Sequence, residues 1–501
     1  MFMKSTTPLR SKMSETHIGV LNSRVCFPEE RMRIESDGLG TIEIHEDAAW
    51  GVQTQRAINN FPLSGYHMLP YFIHAFAFVK KAAAQVNMEL GYLDEKIAKA
   101  IMQVCDEIIE GEHHDQFPVD AFQGGAGTST NMNFNEVIAT IADRRLTDNF
   151  GSYTPVLPLE HVNMHQSTND VYPTAVRVAI LFFLKDLEKE ISWLQEEFQA
   201  KEKEFSHVVK LGRTELMDAV PLTLGMEFGA YAEAIARDRW RIFKCRERIK
   251  VINLGGTAIG TGLGAPREYI FKVGETLRSL TGLSISRSEN LVDATQNLDP
   301  IVEISGMLKT YASNLLKISN DLRLMNMGPD GGIAEIRLPE MQAGSTIMPG
   351  KVNPVIPEAV GQVALRVIAN DNLISIAAGL GQLDLNQYFP VIAFTILETL
   401  NLLVNTSKIL RENCLIGMKA NTEQCMEHVL NSKTLATILV PILGYHTVEE
   451  LLQEADRTGR SFRELVLERK LLTQHELDHL LSAKHMRKLG FTEEDIKKDK
   501  E

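Results

Sequence analysis

Cysteine is scarce in this sequence, with five residues in 501 and no Cys-x-x-Cys pair among them. An odd number of scattered thiols is typical of reduced cysteines in a cytosol, and it predicts a cytoplasmic protein without a disulfide framework. The sequence also lacks a His-Glu-x-x-His motif and a P-loop, and its glycine-rich run at 260–264 has the wrong spacing for a dinucleotide-binding loop. These absences disfavour a zinc protease, a P-loop enzyme and a dinucleotide-dependent enzyme.

Basic residues are fewer than acidic residues in this sequence. The 52 lysines and arginines face 65 aspartates and glutamates, and the resulting net charge of −13 disfavours a nucleic-acid partner, because phosphate binding needs clustered basic side chains. No apolar stretch of membrane-spanning length is visible, so no membrane partner is expected. The first 33 residues lack the apolar core of a signal peptide and are predicted to be a disordered extension, with a transit peptide or a start at Met13 as alternatives.

Helical periodicity dominates the middle of the chain. No glycine or proline lies between Pro173 and Gly212, and apolar residues recur there at spacings of three and four: Leu184, Leu187, Ile191, Leu194 and Phe198. Further long helices are predicted at about 222–253, 299–327, 354–378 and 391–412. Five long helices with short connections predict a mainly α protein built on an antiparallel bundle. Stripes this continuous predict burial against other subunits.

Three parts are predicted after the extension. Residues 34–165 form an N-terminal domain of short segments and glycine-rich loops, 166–420 form the central long-helix domain, and 421–501 form a small C-terminal helical domain. Thr473 and Glu476 have the spacing of a capping box, which predicts that a helix begins there.

One loop-forming segment stands out: residues 344–354 read GSTIMPGKVNP. Its glycines allow the loop to move, and its prolines stiffen parts of it. We expect Ser345 to reach a substrate from this loop, while Lys351, Asn353 and the loop N–H groups hold a substrate carboxylate.

Three other segments are rich in small hydroxyl and amide side chains: GGAGTSTNMN at 124–133, QSTND at 166–170 and GRTE at 212–215. Each precedes a helical pattern, and loops that lead into helix N-termini bind anions through free N–H groups. Any one of them is also explained by an N-cap alone. Their joint occurrence with the 344–354 segment favours an anion-binding site.

These four segments resemble, in order, the conserved regions of the aspartase/fumarase superfamily of lyases, and the resemblance runs from about Gly38 to about Glu476. It implies a three-domain fold whose five long central helices join those of other copies in the twenty-helix core of a homotetramer. It also implies active sites shared between subunits, with Ser345 as the general base and with Lys351 and Asn353 gripping a carboxylate. The substrate contacts that it implies are Thr128, Ser167, Thr168, Asn169 and Thr214.

Three features resemble the aspartase branch of the superfamily more than the fumarase branch: Ala126 in Gly-Ala-Gly-Thr, the VIPE run at 355–358, and the segment 462–473. They imply reversible deamination of L-aspartate to fumarate and ammonia, by removal of a Cβ proton through an aci-carboxylate intermediate. A class II fumarate hydratase and a non-catalytic helical relative stay open as alternatives.

The resemblance implies no organic cofactor, because the chain lacks the Ala-Ser-Gly triplet from which aromatic amino-acid ammonia-lyases form their electrophilic group. No metal ligands are assigned. His161 and His165 lie in a predicted loop, and His113 and His114 lie in a predicted solvated turn. Activation by a divalent cation stays open, without named ligands.

One residue departs from the family pattern. Glu215 follows Arg213 and Thr214 at a position where many members carry histidine and some aspartases carry glutamine. A carboxylate beside an anionic substrate repels it, so we expect Glu215 either to share a proton with Glu358 or to point away from the substrate. An exposed carboxylate without a role and an altered choice of substrate are the alternatives.

Overall fold

The computed structural model describes residues 31–147 and 153–490. The predicted N-terminal extension lies outside this range, except for its last three residues. Met32 and Arg33 open the strand Met32–Asp37, which pairs with Gly40–His45. Arg33 anchors this strand, because its guanidinium donates to four backbone carbonyl oxygens between residues 45 and 50 at 2.6 to 3.0 Å.

The chain divides into two compact units, each assembled from three separate stretches. The first unit contains the chain up to Ala179, Lys250–Leu298 and Ala377–Phe394. The second contains Ile180–Ile249, Asp299–Ile376 and the chain from Thr395 onward. Three long helices contribute residues to both units: Thr168–Glu204, Val355–Gly379 and Phe389–Leu410. The division into three domains stays a prediction.

The first unit is built from helices around an aromatic core. Phe76 stacks on Phe134 with ring centroids 4.2 Å apart, and Tyr172 contacts both Phe72 and Phe389. Rings of this size dominate the apolar area that a core buries. Its other helices are Val52–Asn60, Pro70–Glu89, Glu95–Glu110, Thr128–Thr147, Arg267–Thr281 and Leu291–Gln296, with single turns at His114–Gln116 and Pro158–Val162.

The second unit contains two more long helices and the C-terminal helices. Leu224–Ile249 packs along Asp299–Met325, and the hydroxyl of Tyr231 donates to the carboxylate of Asp321 at 2.9 Å. The helices that follow are Arg411–Leu415, Thr422–Asn431, Lys433–Leu435, Ala436–Leu443, Tyr445–Thr458, Phe462–Glu468, Gln474–Leu480 and Ala483–Met486.

Strands are short, and each sheet among the described residues has two of them, which confirms a mainly α fold. One parallel pair is formed by Val251–Ile252 with Ser286–Arg287. The antiparallel pairs are Met32–Asp37 with Gly40–His45, Val209–Thr214 with Met217–Thr223, and Ile336–Arg337 with Lys419–Ala420.

The five predicted long helices are all present, with shifted ends. The first begins at Thr168, before Pro173, although proline removes a helical N–H. The carbonyl of Asn169, which loses its partner to the proline, accepts instead from the side-chain amide of Asn253 at 2.9 Å. The helix ends at Glu204 because a hairpin follows. Its predicted apolar stripe is buried within the single chain, so covering it does not require another subunit.

The C-terminal helices begin where capping side chains predict. Thr473 Oγ1 accepts from the Glu476 N–H at 3.2 Å, and the Glu476 carboxylate accepts from the Thr473 N–H at 2.6 Å, which confirms the capping box. A second box, formed by Ser461 and Glu464, starts Phe462–Glu468. The sequence analysis missed it, although Ser-x-x-Glu is the same signature.

One helical stretch, Phe389–Leu415, is long and apolar enough to cross a membrane by length and composition, so the expectation that no stretch reaches this length was wrong. However, 67% of its most apolar window is buried inside the structure. Burial of this extent is the behaviour of a core helix.

A buried histidine in the first unit links fold stability to pH. His74 packs against His114 with the rings tilted by 51° and their centroids 4.9 Å apart, and neither ring nitrogen of His74 has a hydrogen-bond partner among the described residues. Burial, with a smaller contribution from His114, lowers the pKa of His74 to about 4. The neutral ring therefore contributes stability above pH 6.5, its ordinary pKa, and that stability is lost as the pH falls toward 4.

We expect His74→Phe to remove this loss. Between pH 6.5 and pH 4 the free energy of unfolding should fall by about 3 kcal/mol less in the variant than in the wild type, since one pKa unit corresponds to about 1.4 kcal/mol and most of the shift is lost in this range. Urea unfolding at the two pH values measures this difference. His446→Phe, at a side chain that is 94% exposed, is the control. Identical pH dependence in His74→Phe and the wild type would contradict the prediction.

Candidate active site

The first glycine-rich segment turns tightly into the helix Thr128–Thr147. Gly125 and Gly127 have φ of 80° and 97°, and a Cβ on Gly127 would lie 2.5 Å from the ring of Tyr172, so only glycine fits there. Thr128 is the exposed first residue of the helix, and its hydroxyl donates to the Gly125 carbonyl at 2.8 Å. This predicted contact residue therefore lies at the positive end of a helix dipole.

The QSTND turn caps the helix Thr168–Glu204. Ser167 Oγ accepts from the Asn169 N–H at 3.2 Å, so the N-cap explanation is correct for this serine. The side-chain amide of Asn169 donates to the Ala258 carbonyl at 2.7 Å. A hydroxyl that accepts a bond keeps its own O–H for donation, so capping leaves Ser167 able to bind an anion.

Asn131 joins these two segments within the first unit. It lies one turn after Thr128 in the same helix, and its amide nitrogen donates to Thr168 Oγ1 at 3.1 Å. Thr168 accepts this bond, so its O–H is left to donate. The structure thus brings together Thr128, Ser167, Thr168 and Asn169.

Thr214 and Glu215 lie at the exposed tip of the hairpin in the second unit. Glu215 and Leu216 have φ of 54° and 64°, the backbone of a two-residue primed turn. The GRTE segment therefore leads into a strand, Met217–Thr223, and the expectation that it precedes a helix was wrong. Two consecutive left-handed residues reverse the chain before a helix can start.

The GSTIMPGKVNP segment closes into a ring. The Gly344 N–H donates to the Lys351 carbonyl at 2.7 Å, and the side-chain amide of Asn353 donates to the Gly344 carbonyl at 2.9 Å. A Cβ on Gly344 would lie 2.6 Å from the Lys351 oxygen, so glycine is needed where the ring closes. Asn353 shapes the loop in this way, and the carboxylate contact expected of it stays a prediction.

Ser345 lies in this ring with its oxygen against two backbone donors. Its Oγ accepts from the Met348 N–H at 2.9 Å and from the Ile347 N–H at 3.2 Å. Ser345 and Lys351 line the same cavity of about 390 Å³. Two N–H donors within hydrogen-bond distance lower the cost of negative charge on the serine oxygen, which is what a serine base requires.

The sequence analysis missed a buried ion network in the second unit. Glu335 is fully buried, accepts from Arg213 at 2.7 Å, and lies 3.1 Å from Lys210 Nζ and from His428 Nδ1. Arg213 directly precedes Thr214, and Glu335 belongs to the segment that leads into the GSTIMPGKVNP ring. The network therefore fixes the hairpin to the segment that precedes the ring. Its only signal in the sequence was a single glutamate in the apolar run IAEI at 333–336.

The predicted site residues fall into two sets, one in each unit. Thr128, Ser167, Thr168 and Asn169 belong to the first, and Thr214, Glu215, Ser345, Lys351, Asn353 and Glu358 belong to the second. Glu358 lies in the first turn of Val355–Gly379. Proton sharing between Glu215 and Glu358 stays a prediction.

Within residues 31–147 and 153–490, one group of three side chains could hold a metal ion: Glu107, Glu112 and His113. Arg145 already pairs with Glu107, and His113 Nε2 lies 3.1 Å from the same carboxylate. These contacts account for the group, and we assign no metal site to it.

Comparison with known proteins decides the family. Residues 40–369 match the family described as "Lyase", and residues 435–488 match the one described as "Fumarase C C-terminus". The chain belongs to the lyase family. This membership confirms the superfamily that the four segments resemble.

Relatives that match over most of the chain are named aspartate ammonia-lyase. The protein from Bacillus sp. is 48% identical over 91% of this chain and 97% of its own length. The proteins from Bacillus subtilis and Escherichia coli K12 are each 45% identical, over 93% and 91% of this chain and 98% and 96% of their own lengths.

Solved structures share the fold of this lyase. A "fumarate lyase:delta crystallin from Brucella melitensis bound to cobalt" is 44% identical, with a TM-score of 0.86 over 91% of this chain and 99% of its own. The class II fumarase from Schistosoma mansoni is 32% identical, with a TM-score of 0.84 over 90% of this chain and 98% of its own. The two TM-scores are nearly equal, so the fold alone does not separate the branches of the family.

The Glu335 network allows a stability test. Glu335→Gln removes the carboxylate that pairs with Arg213, whereas Lys210 keeps Glu227 at 2.7 Å. Unpairing a buried charge costs about 3 kcal/mol. We expect the free energy of unfolding to fall by about that amount, as measured by chemical denaturation. Glu427→Gln, at an exposed position in the helix that carries His428, should leave it unchanged. Wild-type stability in Glu335→Gln would show that the network does not hold the hairpin.

Proposed function

We propose that this lyase is an aspartate ammonia-lyase, which reversibly converts L-aspartate to fumarate and ammonia. The observation that carries the proposal is the match to relatives of that name, at 44 to 48% identity over more than nine tenths of the chain. The geometry around Ser345 supports the same chemistry.

The reaction begins with proton removal. Ser345, as an oxyanion held by the N–H groups of Ile347 and Met348, takes a proton from Cβ of L-aspartate and becomes a neutral hydroxyl. The electron pair left on carbon spreads onto the β-carboxylate and gives an aci-carboxylate. The bond from Cα to nitrogen then breaks, nitrogen leaves with its electrons as ammonia, and the carbon–carbon double bond of fumarate forms.

The β-carboxylate gains charge during this step, so donors directed at it lower the barrier. Thr128, Ser167, Thr168, Asn169 and Thr214 supply neutral donors, and Lys351 and Asn353 bind a carboxylate. The described contacts support this assignment for the hydroxyls, since Ser167 and Thr168 each accept a local bond and keep an O–H to donate.

The complete site forms where copies of the chain meet in a homotetramer, with residues contributed by different subunits. Exposed apolar side chains on Val355–Gly379 support this assembly: Leu365 is 60% exposed and Ile376 is 55% exposed. They lie three helical turns apart and so share one face. Large apolar side chains on one exposed face are typical of protein interfaces.

The cellular location and the cofactor requirement of the enzyme belong to the same proposal. It works in the cytoplasm without an organic cofactor, which agrees with four free cysteines among the described residues. The Brucella melitensis neighbour was solved with cobalt, which supports activation by a divalent cation, although no ligands are assigned in this chain.

A class II fumarate hydratase, which removes water from L-malate, is the rival within the family. The Schistosoma mansoni fumarase shares 32% of its residues with this chain, against 48% for the Bacillus sp. aspartate ammonia-lyase. The identities therefore favour ammonia over water as the leaving group.

Ser345→Ala tests the base. We expect kcat for fumarate formation from L-aspartate to fall by about 10³-fold, because no oxygen is left between the two N–H groups to accept the Cβ proton. Ultraviolet absorbance of fumarate measures the rate. Thr346→Ala, which removes an exposed hydroxyl from the adjacent position, is the matched control and should retain activity.

Three outcomes contradict parts of the proposal. Near wild-type turnover by folded Ser345→Ala rejects this serine as the base. Fumarate formed from L-malate but not from L-aspartate identifies a fumarate hydratase. Fumarate from neither substrate supports a non-catalytic relative.

Assembly has its own test. Leu365→Glu combined with Ile376→Glu places two charges on the exposed apolar face, and we expect the tetramer to dissociate and activity to fall with it. Sedimentation velocity measures the mass of the particle. Leu39→Glu, at a leucine that is 82% exposed in the first hairpin, should leave the tetramer intact. A double variant that stays tetrameric would place the interface elsewhere.

A further inference from the structure

Lys80 is a fully buried lysine that the proposed reaction does not use. It lies in Pro70–Glu89, and its ammonium group donates to Gln166 Oε1 at 2.9 Å and to Asn163 Oδ1 at 3.1 Å. Both partners are neutral amides, so no carboxylate hydrogen-bonds to this charge among the described residues. Burying a lysine against neutral groups is costly, and its placement calls for a physical reason.

The opposite charge nearby is Asp170, which is also fully buried. Its carboxylate accepts from the Ser167 N–H at 3.0 Å and from the Gly255 and Thr257 N–H groups at 3.1 Å. Burial raises the pKa of Asp170 to about 7 and lowers the pKa of Lys80 to about 7, while the charge of each acts against the shift of the other. The QSTND turn is therefore held from two sides by groups of opposite charge.

The contacts of Lys80 decide how the neighbouring amides are oriented. In its charged form Lys80 only donates, and Gln166 and Asn163 each present a carbonyl oxygen to it. The Gln166 amide nitrogen then donates to the Val162 and Met164 carbonyls, at 2.9 and 3.1 Å. The orientation of Gln166, the first residue of the turn, is thus fixed at both ends of its side chain.

A chain of hydrogen bonds connects Asn163 to Thr168 through Asn131. The Asn163 oxygen also accepts from the Asn131 amide nitrogen at 3.2 Å, which commits Asn131 to donate on this side. That nitrogen donates to Thr168 Oγ1 at 3.1 Å as well. Thr168 must accept there, and its O–H is free to point to a substrate.

We infer that Lys80 is a positioning residue for the carboxylate-binding turn: by donating to both Gln166 and Asn163 it holds these amides, and through them Asn131, in the orientation in which Thr168 presents a donor to an anionic substrate. The inference rests on the proposed function and deepens it. This role gives a physical reason for burying Lys80 against two neutral amides. An apolar side chain would remove the donor that the Gln166 and Asn163 oxygens share, and so would weaken the hydrogen bonds that hold this turn.

Lys80→Met tests the inference, since methionine is of similar length and cannot donate. We expect KM for L-aspartate and Ki for fumarate as a product inhibitor each to rise about tenfold, the effect of weakening one or two substrate hydrogen bonds. Both constants are independent of the fraction of folded enzyme. A purely structural role lowers the melting temperature and the number of active sites but leaves KM and Ki at wild-type values.

Lys81→Met is the matched control. Lys81 is the next residue of the same helix and pairs with the half-exposed Asp106, so its loss should leave KM and Ki unchanged. Turnover by the wild type is measured first. No fumarate from L-aspartate rejects the proposed function, whereas normal turnover with unchanged KM and Ki in Lys80→Met rejects only the role of Lys80.

A second variant covers the case in which Lys80→Met does not fold. Lys80→Met combined with Asp170→Asn removes both buried charges, and Gln166→Met removes one acceptor and leaves both charges in place. We expect the same rise in KM and Ki from each of these variants that folds. Wild-type constants in either would overturn the inference.

Discussion

A carboxylate that is fully removed from water must be hydrogen-bonded or paired, and one such carboxylate anchors each set of proposed site residues. In the first unit Asp170 accepts backbone N–H groups from its own turn and from the 255–257 loop. In the second unit Glu335 holds Arg213 and Lys210. Both carboxylates are fully buried, and each fixes segments that carry or adjoin the proposed substrate contacts.

Neutral donors suit the reaction better than a cluster of cations. Fumarate carries two negative charges and must leave after each turnover, and a site of several lysines would bind it too tightly to release it quickly. Hydroxyl and amide donors aimed at one carboxylate instead stabilise the negative charge that develops on it in the transition state. At Ser345 the donors that contact the oxygen are likewise neutral, since two backbone N–H groups donate to it.

Much of the fold and part of the site could be predicted from the sequence. Long helices were predictable because apolar residues recur at spacings of three and four and because few glycines or prolines interrupt their interiors. The helix start at Thr473 was predictable because a capping box is a local signal. The hairpin at Glu215 was not, since two non-glycine residues adopt left-handed backbone there. Lys80 and Glu335 were missed because their partners lie far along the chain. A charge in an apolar segment signals burial, but it does not name its partner.

The direction of each hydrogen bond is the property that sequence pattern conceals most completely. Hydroxyl and amide side chains can each donate or accept a hydrogen bond. Which of the two they do in a site is decided by neighbouring groups that can only donate or only accept. Lys80 donates to the Asn163 oxygen, which accepts, and the Gly344 carbonyl accepts from the Asn353 amide, which donates. Two backbone N–H groups donate to Ser345 Oγ, so this oxygen accepts from both of them. Proton removal next to a carboxylate requires a base that accepts and binding groups that donate, and the hydrogen bonds at Ser345 and Thr168 agree with those proposed roles.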